Sequence, residues 1–133
     1  MKSEQGDDAT GRSCMLVAHG DATYAALVSR AFRRLGWDTY TVRTGPEARR
    51  MARMLRPEIL VMATELEGES GWLTCEKVRH ELPSAKVFLI GDTGNRRNLA
   101  FASFVGAAML LDNSDSIQSL VDEICGRSLP AAG

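Results

Sequence analysis

Five side chains able to bind a cation or handle a proton follow apolar runs: His19, Asp21, Glu65, Asp92 and Asp112. One imidazole with several carboxylates would suit a metal or a cationic ligand, because hard oxygen donors and imidazole are both used for such sites. Their spacing matches no metal motif, and the same residues suit a solvated polar rim in which Asp21 or a neighbour caps a helix. Thr93 stands near the exit of the run Lys86 to Ile90, where capping of a loop is its expected role. Cys14 opens its apolar run instead of following it, so it reads as a buried structural thiol.

These residues need a scaffold that brings loop after loop to one edge, and the chain alternates in the required way. Cys14 to Ala18, Ile59 to Ala63, Lys86 to Ile90 and Ala108 to Leu111 are short apolar runs, as strands buried on both faces should be. Trp37 to Arg43 alternates more and reads as an edge strand. Helix-period segments lie between them. Tyr24, Leu27, Val28, Ala31 and Leu35 form a stripe at i, i+3, i+4, i+7 and i+11, with Gly36 ending the helix. Ala48, Met51, Ala52 and Leu55 form a second stripe, opened by Pro46 and stopped by Pro57, with Arg49, Arg50, Arg53 and Arg56 opposite. Trp72, Cys75, Val78 and Leu82 form a third, before Pro83. A fourth helix is expected over about Arg96 to Val105, and a fifth over Asp115 to Cys125 with Ile117, Leu120, Val121 and Ile124 inward. Five strands alternating with five helices predict an α/β fold: a flavodoxin-like doubly wound parallel sheet of order 2-1-3-4-5. In such folds the working residues stand at the carboxyl ends of the strands.

Length and charge narrow the function classes. With 133 residues, 44% hydrophobic and 25% charged, the chain makes one domain and leaves no room for a second of usual size. Residues 1–13 and 127–133 read as tails around a domain spanning 14–126, and Met1 with the short tail favours a stand-alone protein. A net charge of -1 excludes a surface given over wholly to nucleic acid, and no apolar run is long enough for a membrane span. Three widely spaced cysteines fit no disulfide or zinc framework, so reduced thiols in a cytoplasm are expected. The balance hides an asymmetry: from Arg30 to Arg56 eight arginines face Asp38 and Glu47, a balance of +6. From Glu58 to Asp92 seven acids face Lys77, Arg79 and Lys86, a balance of -4. Two solvated helix faces account for this, as does a dipole that orients a docking partner or a second copy. Nucleic-acid binding by Arg49, Arg50, Arg53 and Arg56 is disfavoured, since no stacking aromatics are interleaved.

The landmarks at the strand ends resemble the receiver domain of bacterial response regulators, the chemotaxis-regulator type of fold. They are Pro57-Glu58-Ile59-Leu60-Val61-Met62-Ala63, the loop glycines Gly68 and Gly71, Val87 to Ile90, and Gly106-Ala107-Ala108. The resemblance covers about residues 14 to 126 and implies the site positions. Ala63 stands where receivers carry the aspartate that accepts a phosphoryl group, and Ala18 and His19 where two acids hold Mg²⁺. Gly91 replaces the hydroxyl residue after strand four. Asp112 replaces the lysine after strand five, or Asn113 does if the loop has its full length, and Met109 stands for the aromatic switch residue. An alanine cannot attack phosphorus, and a methyl cannot ligate Mg²⁺.

The resemblance therefore implies a degenerate pseudo-receiver in signal transduction, with no catalytic residue, no cofactor and no metal, acting by protein–protein interaction independent of phosphorylation. A sensor kinase, a regulator or a second copy in a homodimer would be its partner. The family's usual contact surface would here draw on Arg96, Arg97, Phe101, Phe104, Met109, Asn113, Gln118 and Asp122. Phe101 and Phe104 are three apart, so with one on the sheet the other would reach the rim. A phosphorylatable receiver of a phosphorelay with displaced chemistry and a small-ligand binder remain the rival readings.

Overall fold

Strand pairing in a parallel sheet satisfies backbone groups in both directions, so a strand flanked on each side can be apolar throughout. A computed structural model describes residues 13–128. The expected tail over 1–12 and residues 129–133 lie outside the described residues. Among the described residues the strands are β1 (Cys14–Ala18), β2 (Asp38–Val42), β3 (Ile59–Ala63), β4 (Lys86–Gly91) and β5 (Met109–Asp112). The helices are α1 (Ala22–Arg33), α2 (Gly45–Leu55), α3 (Gly71–Glu81), α4 (Arg96–Phe104) and α5 (Ile117–Ser128). All strand pairs are parallel, in the order β2-β1-β3-β4-β5 expected from the alternation. β3 lies at the centre and is buried along its whole length. No helix of the described residues is long and apolar enough to cross a membrane.

The period of two along each strand divides the core into two layers. Leu16, Leu60, Met62, Val87, Leu89 and Leu110 point to one face, where they meet Ala48 and Ala52 of α2, Cys75 and Val78 of α3, and Ala102 of α4. Met15, Val17, Ile59, Val61, Phe88 and Ile90 point to the other, against Val28 and Phe32 of α1 and Leu120 and Ile124 of α5. Each large side chain fully buried in this way contributes about 1.5–3 kcal/mol.

Three sequence expectations change. The stripe on α1 is rotated and shorter: Leu27 is 45% exposed while Ala25, Val28, Ser29 and Phe32 are buried, and Leu35, 57% exposed, stands in the turn after the helix has ended at Arg33. Ser29 can face inward because its hydroxyl is hydrogen-bonded to that of Thr39 on β2, and Phe32 packs edge-on against Trp37. β5 begins one residue later than expected and takes in Asp112, which pairs with Gly91 at the end of β4. α5 continues to Ser128, beyond the start of the expected tail at Arg127.

Caps fix where the helices start and hence where the loops stand. Asp21 caps α1 by accepting from the amides of Thr23 and Tyr24 at 2.9 and 3.2 Å, as the rim reading expects. Thr44 and Glu47 form a capping box on α2. α2 ends with Arg56 in the left-handed region, at φ 49°, just before Pro57. Ser70 caps α3. Gly71, next to it, is a residue whose missing Cβ matters: a methyl there would run into the Ala63 carbonyl, so α3 can start directly against the end of β3.

Candidate functional site at the carboxyl edge of the sheet

The ends of β1, β3, β4 and β5 surround a cavity of about 470 Å³. Its floor is Ala63 and Ile90, both buried, and its walls include His19, Tyr24, Thr64, Gly91 and Asn113, with Asp21, Glu65, Asp92 and Asn98 around the mouth. The sheet thus brings together four of the five polar groups singled out in the sequence. Asp112 is the fifth, and it is not among the lining residues.

Asp112 is turned to a different task. Its Oδ1 accepts from the amide and the hydroxyl of Thr93 at 3.1 and 2.7 Å, and its Oδ2 accepts from the Ser114 amide at 3.0 Å and from the Ser114 hydroxyl. Hydrogen bonds from the Ser114 side chain, the Thr93 side chain and both amides hold its pKa well below the usual carboxylate range. The group clasps the loop after β4 to the end of β5, and Thr93 does its expected loop work as one half of that clasp. Asn113 lines the cavity instead, its amide donating to the Gly91 carbonyl at 2.8 Å. The cavity therefore meets the neutral side chain of Asn113 at this edge, not the carboxylate of Asp112.

His19 is half-buried and its ring lies 4.5 Å from that of Tyr24. Its Nδ1 accepts from the Asp21 amide at 3.0 Å, which requires an unprotonated Nδ1. Burial pushes the imidazole pKa down, only partly offset by the charge of Asp21. Both effects favour a neutral ring. The Tyr24 hydroxyl is buried without a hydrogen-bond partner among the described residues, and its pKa is raised by burial and then by the charge of Asp115.

Gly91 offers no hydroxyl, and its surroundings leave no space for one. A Cβ at this position would lie 2.8 Å from Thr64 Oγ1 and 2.9 Å from Thr64 Cγ2. Thr64 is itself fixed, buried, with its amide donating to the Ile90 carbonyl at 2.9 Å and its carbonyl accepting from Gly71 at 2.8 Å. Sequence reasoning did not single out Thr64, although it is the one hydroxyl residue directly after β3.

The carboxylates do not converge. No group of three His, Cys, Asp or Glu side chains among the described residues is placed to hold a metal ion. Asp21 is occupied as a helix cap, Asp92 accepts from the Gly94 amide at 2.9 Å, and Glu65 is exposed. Ala18, at the other implied metal position, is buried and aliphatic.

The cysteines are free. Cys75 is buried, and burial pushes its thiol up to about 12, so it is inert packing. Cys14 is only half-buried, which corrects the expected buried thiol, and its pKa is raised by burial and by Asp38 and Glu58.

Away from the cavity, the four-arginine face is partly committed. Arg49 Nε donates to Glu69 Oε1 at 2.9 Å, and Lys77 Nζ to Glu69 Oε2 at 2.6 Å, while the Thr74 hydroxyl donates to Oε1 at 2.8 Å. Burial acts to raise the pKa of Glu69, but these hydrogen bonds and the charges of Arg49 and Lys77 outweigh it and lower it. Arg53 reaches Glu81 at 3.5 Å, which leaves Arg50 and Arg56 exposed without an ion pair among the described residues.

Of the expected interaction surface, Gln118 and Asp122 hydrogen-bond to each other on α5 at 2.8 Å, Met109 is half-buried beneath that layer, and Arg96 and Arg97 are exposed. Neither Phe101 nor Phe104 faces the sheet. Both are exposed, at 42% and 78%, because Ala102 and Val105 take the inward positions of that turn.

This fold is that of response-regulator receiver domains. The chemotaxis protein CheY4 of Vibrio cholerae superimposes with a TM-score of 0.81 at 17% identity, covering 89% of this chain and 99% of that one. The BeF3-activated receiver domain of RstA from Klebsiella pneumoniae gives 0.80 at 14% identity over 88% and 99%. The receiver domain of a signal transduction histidine kinase from Syntrophus aciditrophicus gives 0.77 at 18% over 91% and 99%. In sequence, the chain is 34% identical over 76 residues to the probable transcriptional regulatory protein TcrX of Mycobacterium tuberculosis, which is 57% of this chain and 32% of that protein. The chain thus matches about a third of the length of this curated relative. No family model matches the sequence.

Proposed function

We propose that this chain is a pseudo-receiver: a signalling module of two-component type that has kept the receiver fold, has lost the phosphoryl switch, and acts by binding another protein. The observation that carries the reading is the methyl of Ala63, buried at the end of β3 and lining the cavity, where phosphoryl transfer would need a carboxylate. Three further features support it. Ala18 and a neutral His19 stand where Mg²⁺ would need acids; Thr64 fills the space next to Gly91; and Asn113 brings no cation to the mouth. The likeness to TcrX suggests a pathway that ends in transcription, with a sensor kinase, a regulator or a second copy as partner.

The test is incubation with acetyl phosphate and Mg²⁺ followed by intact-mass measurement. The expected result is an unchanged mass. A gain of one phosphoryl group would overturn the reading in favour of a phosphorylatable receiver with displaced chemistry.

A second reading, binding of a small molecule in the same cavity, is favoured by the buried, unpartnered hydroxyl of Tyr24 beside it. Such a ligand would raise the melting temperature by mass action, and a Tyr24→Phe variant would lose that rise. A screen of polar metabolites without a Tyr24-dependent hit removes this reading.

A further inference from the structure

α3 and α4 lie side by side on one layer of the domain and together carry an aromatic row. The Trp72 ring is 4.9 Å from that of Phe101, which is stacked on Phe104 at 6.2 Å. Phe104, at 78%, is the most exposed of the large hydrophobic side chains. Beyond it, between the second half of α3 and the turn at Val105 and Gly106, runs an open groove of about 510 Å³. Burial of an exposed aromatic row of this kind is favourable, and isolated domains rarely leave one uncovered without an interaction to make.

The charges around the row are not balanced. Arg97 is one turn before Phe101 and two before Phe104, so it lies at the head of the same stripe. Neither Arg96 nor Arg97 is in an ion pair among the described residues. α4 has no acid in its first turn, so these two cations add to the positive end of the helix dipole instead of opposing it. At the other end of the row Arg79 borders the groove, its Nη1 donating to the carbonyls of Ala85, at 2.9 Å, and Pro83. Its Nε is buried with no hydrogen-bond partner among the described residues. The acids nearby do not compensate: Glu81 is engaged by Arg53, Glu69 by Lys77, and Glu76 alone is left against three cations.

We infer that the α3–α4 face is a docking surface for an acidic amphipathic helix of a partner protein, whose apolar side chains cover Trp72, Phe101 and Phe104 while its carboxylates meet Arg97 and Arg79. A helix laid in a groove supplies apolar anchors about one turn apart, which is the spacing of Phe101 and Phe104, and charge at its flanks sets orientation and rate of encounter. A second copy fits less well, because its own corresponding face carries the same positive excess. The inference rests on the reading of the chain as a protein-binding module, but not on the loss of phosphorylation.

The probe is a synthetic helical peptide with leucine and phenylalanine on one face and glutamate on the other, with a control in which lysine replaces each glutamate. Amide shifts of the labelled full chain should move for Trp72, Arg97, Phe101 and Phe104, and the acidic peptide should bind at least about tenfold more tightly than the control. Phe104→Ala and Arg97→Glu should each weaken binding about tenfold while leaving the thermal midpoint unchanged, since both side chains are exposed. Equal binding of the two peptides, no binding, or shifts confined to another face overturns the inference. So does a dimer in sedimentation equilibrium that Phe104→Ala abolishes, which assigns the face to a second copy. Labelling by acetyl phosphate with peptide binding intact would remove the pseudo-receiver reading and leave this one standing.

Discussion

Thr64 and Gly91 are fitted to each other: the Thr64 side chain fills the space that any side chain at Gly91 would enter, with Oγ1 2.8 Å from where a Cβ would be. The missing side chain at the end of β4 is therefore matched by the bulk of the threonine after β3. Gly91→Thr should destabilise the domain by about 1–3 kcal/mol through overpacking. Thr64→Ala should relieve most of that cost, so the double variant is more stable than the sum of the single effects allows. Urea unfolding of the four proteins measures the coupling, and strictly additive effects would show that the two side chains do not share the space.

His19 should make stability depend on pH in a defined window. Its folded pKa lies below the model-peptide value of about 6.5, so the unfolded chain binds a proton that the folded chain resists. The contribution of the neutral ring to stability is fully present above about pH 6.5 and is lost as pH falls from there through the folded pKa. His19→Asn, which retains an acceptor for the Asp21 amide, should flatten the stability profile as pH falls below about 6.5. Denaturant midpoints across that range check this, and an unchanged slope in the variant refutes it.

Glu69 ties α2 to α3, and its side chain is only 8% exposed while Arg49 and Lys77 reach into water. Solvent screens the two cations, so the ion pairs are worth less than fully buried ones. Glu69→Ala should cost about 1–2 kcal/mol, through loss of the Thr74 and Lys77 hydrogen bonds as well as charge. The loss should shrink with added salt only in part, because the Thr74 bond is insensitive to it. Thermal unfolding at low and high ionic strength separates the two contributions.

Asp112 should act as a clasp that depends on its ionised form. Asp112→Asn keeps the shape but turns one acceptor oxygen into a donor that faces the donors on Thr93 or Ser114. Amide exchange at Thr93 and Ser114 should then accelerate while exchange at β3 stays slow. The same acceleration should appear in the parent chain only below the usual carboxylate range, since the folded pKa is depressed and the clasp is lost only as pH falls through it.

The five strands, their order and the central place of β3 follow from local pattern, because an apolar run bounded by turn residues has few ways to bury itself and right-handed crossovers leave few topologies. The identity of the cavity floor was equally legible, since Ala63 ends the most apolar run. What pattern could not settle were matters of facing. Leu27 and Leu35 look like core residues of α1, yet Ser29 and Phe32 are inside, because Thr39 and Trp37 on the next strand offer partners that helix periodicity does not contain. Asp112 and Asn113 are adjacent and both polar; only the register that pairs Gly91 with Asp112 turns the first to Thr93 and leaves the second at the mouth. Arg49 belongs to a basic run in sequence but to Glu69 in space, and Phe101 packs against a tryptophan on the neighbouring helix with Phe104 stacked on it. Sequence determined the fold and which residue types stand at the strand ends, because both follow from local pattern. Tertiary structure decided the surface and the lining of the cavity, because those depend on contacts between residues far apart along the chain.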